Sequence, residues 1–190
     1  MIISKAVSCL RVITGSARGR QLRTLEGDDV RPTTDRVKEA MFSIIQFDIE
    51  GRRILDLFAG SGQLGIEALS RGAKEATFVD REKRSVAVVK ENLAKTGFDG
   101  ISHVVQTDAF SFLRMTGGEF DIVFLDPPYG TGMLQKALGM LSGCVAQGGT
   151  VICEHPYGEE MPGAADELRL YRTYKYGKTA LTTYRKETEE

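Results

Sequence analysis

From Arg53 onward, short apolar runs alternate with segments of helical period, and the pairing repeats four times. "RILDLF", "EATFVD", "HVVQTD", "FDIVFLD" and "TVICEH" read as strands. Between them "QLGIEALSRG", "EKRSVAVVKENLAKTG", "AFSFLRM" and "GMLQKALGML" read as helices, the first two closed by Gly72 and Gly97. Strands joined through helices require right-handed crossovers, hence a mostly parallel sheet covered on both faces. "LRLYRTYKYG" and "TALTTYRK" then follow with no helix between them, and Gly177 and Lys178 separate them as an antiparallel hairpin at the sheet edge. The expected fold is α/β, a doubly wound sheet of seven strands, five parallel plus the hairpin.

Ahead of it, residues 11–25 read as a short β arm turning at Gly19. "RPTTDRVKEAMFSII" reads as a helix, with Pro32 halting what precedes, Thr33, Thr34 and Asp35 as N-cap candidates, and Val37, Ala40, Met41, Ile44 and Ile45 as its apolar stripe. We expect residues 1–50 to be a basic arm and helix packed on a main domain of residues 51–190, together one globular unit.

Bulk properties exclude several classes. The 42% apolar and 27% charged residues are those of an ordinary soluble globule. No apolar run approaches a membrane span, and "MIISKAVSCL" is too short for a secretory signal. Cys9, Cys144 and Cys153 lack C-x-x-C spacing and read as reduced thiols of a cytosolic protein. His103 and His155 are too few for zinc, so no metal is expected. Net charge is only -1, but residues 1–25 carry Lys5, Arg11, Arg18, Arg20 and Arg23 and no acid. That fits either a phosphate-binding patch or a solvated strand.

Four of the strands end in an aspartate: Asp56, Asp80, Asp108 and Asp126. All four would line the carboxyl-terminal rim, where doubly wound sheets hold their ligands; capping of the following helices would explain any one of them. After Asp56, "FAGSGQLG" spaces Gly60, Gly62 and Gly65 as G-x-G-x-x-G, a turn whose backbone can approach a ligand closely. Asp80 lies 20 residues past Gly60, a suitable distance for a carboxylate that accepts from ribose hydroxyls. Either a nicotinamide dinucleotide or S-adenosylmethionine has such a ribose. Asp56 distinguishes them: a carboxylate beside the turn repels a pyrophosphate but suits the ammonium and sulfonium of S-adenosylmethionine.

"DPPYG" ends the fourth strand. A carboxylate (Asp126) and a backbone carbonyl can accept the two N–H bonds of an exocyclic base amine and aim its lone pair. Pro127 and Pro128 stiffen the loop. Tyr129 offers a ring on which an extruded base can stack, a contact of about 1–3 kcal/mol. A plain turn is the competing reading of the same residues.

Together "DLFAGSGQLGIEALSRGA", "FVD", "TDA" and "DPPY", preceded by "RVITGSARGRQL" and "RPTTDRVKEAMF", resemble the bacterial RsmD family over about residues 11–186. The resemblance implies a class I, Rossmann-like S-adenosylmethionine-dependent methyltransferase. Its product would be an N2-methylated guanine of 16S ribosomal RNA, made as a cytoplasmic monomer acting on the small ribosomal subunit. It further implies that Asp56 and the turn of Phe58, Ala59, Gly60, Ser61 and Gly62 hold the methionine end, that Asp80 with Arg81 next to it serves the ribose, and that Asp108 and Ala109 serve the adenine. Asp126, Pro127, Pro128 and Tyr129 would be catalytic. Arg18, Arg20 and Arg23 would meet RNA phosphates, and the segment from Arg31 to Arg36 would close over the cofactor, with those two arginines also facing RNA. Residues 1–10 lie ahead of the usual family start, and Gln63 stands where a smaller or apolar residue is expected. Three other readings stay open: a DNA or RNA amino-methyltransferase acting on adenine N6 or cytosine N4, an RNA-binding assembly factor that keeps the cofactor without turnover, and a nicotinamide oxidoreductase.

Overall fold

The computed structural model describes residues 10–25 and 35–187. Helix α1 (Asp35–Ile44) is followed by β1 (Arg53–Asp56), α2 (Gln63–Ser70), β2 (Glu75–Asp80), α3 (Lys83–Thr96), β3 (Ser102–Gln106), α4 (Ala109–Met115), β4 (Phe120–Leu125), α5 (Met133–Leu138), β5 (Val145–Pro156), β6 (Ala164–Ala165), β7 (Leu168–Tyr176) and β8 (Thr179–Lys186). The sheet order is β3-β2-β1-β4-β5-β8-β7-β6. Strands β1 to β5 are mutually parallel; β8 runs antiparallel between β5 and β7. The architecture is therefore the expected doubly wound one, with a correction to the count. The sheet has eight strands, because the two-residue β6 pairs with the outer edge of β7. Two alanines carry no alternating pattern that would reveal a strand.

Val37 and Met41 are buried along α1 and Ile45 just after it, with Phe42 also fully enclosed, its ring centroid 5.5 Å from that of Phe124 and tilted 55° to it. This helix packs with α2 and α3 on one face of the sheet around Ile54, Phe78, Phe124 and Ile152. On the other face α4 and α5 cover Leu55, Val79, Val123, Leu125 and Val151. Period-two strands feeding two cores are what fix the register, since a slip of one residue would exchange the faces. Thr33 and Thr34 lie outside the described residues; Asp35 begins α1. The arm is less regular than expected, with one β bridge between Arg11 and Gln21 around a turn at Gly19.

The arm is tied down by polar groups rather than by a ladder. Glu67 of α2, wholly buried, accepts from the backbone N–H of Ile13 at 2.7 Å and of Thr14 at 2.9 Å. It also takes Arg71 Nε at 2.9 Å and faces Lys38 Nζ at 3.9 Å. Lys38 is itself buried and donates to Arg11 O at 2.6 Å; burial holds its pKa below the ordinary lysine value against the pull of Glu67. From α3, Asn92 accepts from Arg23 N at 2.7 Å and donates through Nδ2 to Arg23 O and to Ser61 O. One buried amide thus links the arm to the glycine turn.

Candidate active site

The sheet order reverses between β1 and β4, so the turns after these two strands lie side by side at the carboxyl-terminal rim. Leu57 N donates to Phe124 O at 3.3 Å where the two turns begin. The glycine turn needs its glycines for two reasons. Gly60 and Gly62 have φ of 53° and 78°, a region that side chains rarely adopt. Gly65 is needed for space, because a β-carbon there would sit 2.3 Å from the Phe78 ring. The third glycine therefore lets α2 lie directly on β2.

Three of the rim carboxylates are anchored to backbone N–H groups. Asp80 Oδ2 accepts from Gly60 N at 2.9 Å and its Oδ1 from Glu82 N at 2.8 Å. Asp56, 2% exposed, accepts from Gly65 N at 3.1 Å; burial raises its pKa to about 7, with the Gly65 bond opposing and the Asp80 charge adding to the rise. Asp108 Oδ1 accepts from Ser111 N at 2.9 Å and caps α4; the Ser111 bonds hold its pKa below the usual carboxylate value. The capping role weighed for these aspartates is thus real for Asp108. Ala109 is buried behind it, and Arg81 is exposed and paired with Glu82.

After β4, Asp126 is half-buried, Pro127 buried and Pro128 exposed. Tyr129 does not swing free. Its hydroxyl donates to Glu154 Oε1 at 3.0 Å, at the end of β5, and the Thr179 side chain also bonds to it. Burial first, and the Glu154 carboxylate second, push the tyrosine pKa up to about 12. The ring is consequently fixed at the rim.

Of the arginines, Arg18, Arg20 and Arg36 are exposed. Arg23 is engaged by Glu91, with Nη1 2.6 Å from its carboxylate, which weakens the phosphate role expected for it. Arg31 lies outside the described residues. Gln63 is buried at the start of α2, and its Oε1 accepts no hydrogen bond among the described residues; nothing in the structure explains its choice. Cys144 and Cys153 are buried and unbridged. Among the described residues no three metal-ligating side chains converge, and no helix is long and apolar enough to cross a membrane.

Four positions that matter here escaped the sequence reading: Lys38, Glu67, Asn92 and Glu154. Glu67 in "LGIEALS" and Glu154 in "TVICEH" are charged residues in otherwise buried runs, and that misfit was the available signal; Lys38 and Asn92 stand among polar neighbours.

Acceptors dominate the rim: Asp56, Asp80 and Asp108 surround a turn whose backbone is open to a ligand, and Arg81, the cation among the expected cofactor residues, is turned to Glu82. Such a set of acceptors fits a ligand with an ammonium, a sulfonium and ribose hydroxyls, and not a pyrophosphate. Fold and site together define a class I S-adenosylmethionine-dependent methyltransferase. The family model described as "Conserved hypothetical protein 95" matches residues 10–185. The chain belongs to that family, the RsmD family. It is 40% identical over 184 residues to YlbH of Bacillus subtilis (strain 168), covering 93% of this chain and 99% of that one. It is 36% identical over 182 residues to ribosomal RNA small subunit methyltransferase D of Escherichia coli (strain K12), covering 95% and 91%. The solved structure of yhhF from Escherichia coli superimposes with a TM-score of 0.82 at 36% identity, covering 95% of this chain and 99% of that chain.

Proposed function

We propose that this chain, a cytoplasmic monomer, methylates the exocyclic N2 amine of a guanine in 16S ribosomal RNA, within the small ribosomal subunit. The observation that carries the reading is the adjacency of two turns at the switch point, one glycine-rich and ringed by carboxylates, the other the Asp126–Tyr129 segment. The 36% identical Escherichia coli relative is named for small-subunit rRNA, which supports the substrate.

Asp56 and the Phe58–Gly62 turn would hold the methionine end of S-adenosylmethionine, Asp80 and Arg81 the ribose, and Asp108 with Ala109 the adenine. When bound, that cofactor supplies an electrophilic methyl on a cationic sulfur. This chain's residues prepare the acceptor. The Asp126 carboxylate and the Pro127 carbonyl each accept one N–H of the guanine amine, so its lone pair points toward the cofactor turn. Pro128, with its fixed φ, stiffens the backbone that carries that carbonyl. As the nitrogen gains positive charge, the same two acceptors stabilise it. Tyr129, pre-set by Glu154, gives the extruded base a stacking face, offsetting part of the few kcal/mol that extrusion costs. Arg18, Arg20 and Arg36, with Arg31, would contact phosphates, so that residues 1–50 act as an RNA-facing accessory to the methyltransferase domain of residues 51–190.

The test is transfer of label from S-adenosylmethionine to small subunits taken from cells lacking this protein, with nucleoside analysis of the product. We expect one N2-methylguanine per subunit. Label on adenine N6, cytosine N4 or an endocyclic nitrogen, or no label at all, overturns the assignment.

A further inference from the structure

Strand β8 starts where β5 ends: Thr179 pairs with Pro156 and Ala180 with His155. The β7–β8 turn, Gly177–Lys178, is thereby brought to the same rim as the glycine turn and the Asp126–Tyr129 segment. The Thr179 side chain is bonded to Tyr129 itself. Just beyond β5, Tyr157 donates its N–H to Lys178 O at 2.9 Å. Its ring is 54% exposed, and the ammonium of Lys175 stands 3.7 Å from the ring centroid. This corner belongs to a one-signed hairpin. Leu168–Lys186 contains Arg169, Arg172, Lys175, Lys178, Arg185 and Lys186 and no acid. Among the described residues, Lys186 pairs with Glu167, whereas Arg172, Lys175, Lys178 and Arg185 form no ion pair. Glu159, on the turn after Tyr157, is bonded to Gln135.

We infer that Tyr157, Lys175 and Lys178 form a contact site for single-stranded RNA, taking a nucleotide that flanks the target guanine, base against Tyr157 and phosphate against the two lysines. An exposed aromatic ring beside cations that form no ion pair is the arrangement that binds single strands without reading sequence. Its place next to Tyr129 puts it where the strand continues once the guanine is extruded. A methyltransferase that removes one base from its stack must hold the neighbours still, and the arginine-bearing arm, anchored on α2 and α3, leaves this side of the catalytic turn unserved. The inference rests on the proposed RNA substrate and adds a second basic surface, on the C-terminal hairpin.

The experiment compares wild type, Lys175→Glu/Lys178→Glu and Tyr157→Ala. Equilibrium binding to naked 16S rRNA and to undermethylated small subunits is measured across salt, and methyl transfer separately. S-adenosylmethionine affinity and thermal stability serve as controls, and neither should move, because all three side chains are exposed. The double variant should reduce the slope of log affinity against log salt by about 1.4, roughly 0.7 for each phosphate contact on a single strand. Tyr157→Ala should weaken binding by about 5- to 150-fold, the equivalent of one stacked base. Unchanged affinity and slope in both variants overturn the site. So does a loss confined to assembled subunits with naked RNA bound normally, since that outcome puts a ribosomal protein there instead. A wild type that binds RNA but leaves guanine N2 unlabelled overturns the proposed reaction, while the binding curves still decide the surface.

Discussion

Replacing Asp56 with asparagine should stabilise the cofactor-free protein while spoiling its cofactor site. The carboxyl is 2% exposed and its pKa is raised from 3.8 to about 7. A carboxyl with a raised native pKa binds its proton more tightly when folded, so its stabilising contribution is complete below pH 4 and is lost as pH climbs toward 7. At about 1.4 kcal/mol per unit, the ionised group costs the fold up to about 4 kcal/mol above pH 7. Asparagine is nearly isosteric, keeps an oxygen for Gly65 N–H and does not titrate. The stability of Asp56→Asn relative to wild type should therefore rise by about 2 kcal/mol between pH 5 and pH 7 and then level off, read by urea unfolding without cofactor. In the same variant, S-adenosylmethionine should bind at least about tenfold more weakly, since a carboxylate–ammonium attraction has gone. Parallel pH–stability curves for the two proteins would refute the reasoning, because they would mean that Asp56 is ionised at no cost.

Below pH 7, S-adenosylmethionine binding to the wild type should displace a proton, so affinity should increase with pH up to about 7; calorimetry in buffers of different ionisation enthalpy would detect it. Asp126→Ala should lower transfer at least about a hundredfold with cofactor affinity nearly intact, measured by single turnover and titration. Gly65→Ala drives a methyl group to 2.3 Å from the Phe78 ring and should cost about 1–3 kcal/mol in chemical unfolding. Glu67→Gln leaves Lys38 buried without its counter-charge and should cost about 3–5 kcal/mol, with residues 10–25 becoming the first site of limited proteolysis.

Much of this site could be read from the chain because its parts are local. Strand, glycine turn and helix follow one another within residues 53–70, and Asp126–Tyr129 directly follows an apolar strand. What could not be read depends on partners far away in sequence. Nothing near Tyr129 announces that its hydroxyl is held by Glu154, 25 residues on, and nothing near Arg23 announces Glu91. Asn92 illustrates the limit. On the apolar stripe of α3 it looks like a flaw in the pattern, and only the tertiary fold reveals that it ties the arm to Ser61. The miscounted strand has a different origin: β6 exists because β7 offers it an edge, not because Ala164–Ala165 prefers to be extended.

Strand β8 lies between β5 and β7 although β7 precedes it in the chain. During synthesis β6 and β7 therefore emerge with no neighbour that joins them to the growing sheet, and β5 waits with one bare edge. Closure comes in one late step, when residues 179–186 slide into the gap and satisfy both sides at once. A chain interrupted before residue 179 would leave β5 and β7 each with an unpaired edge, an exposure that favours aggregation or proteolysis.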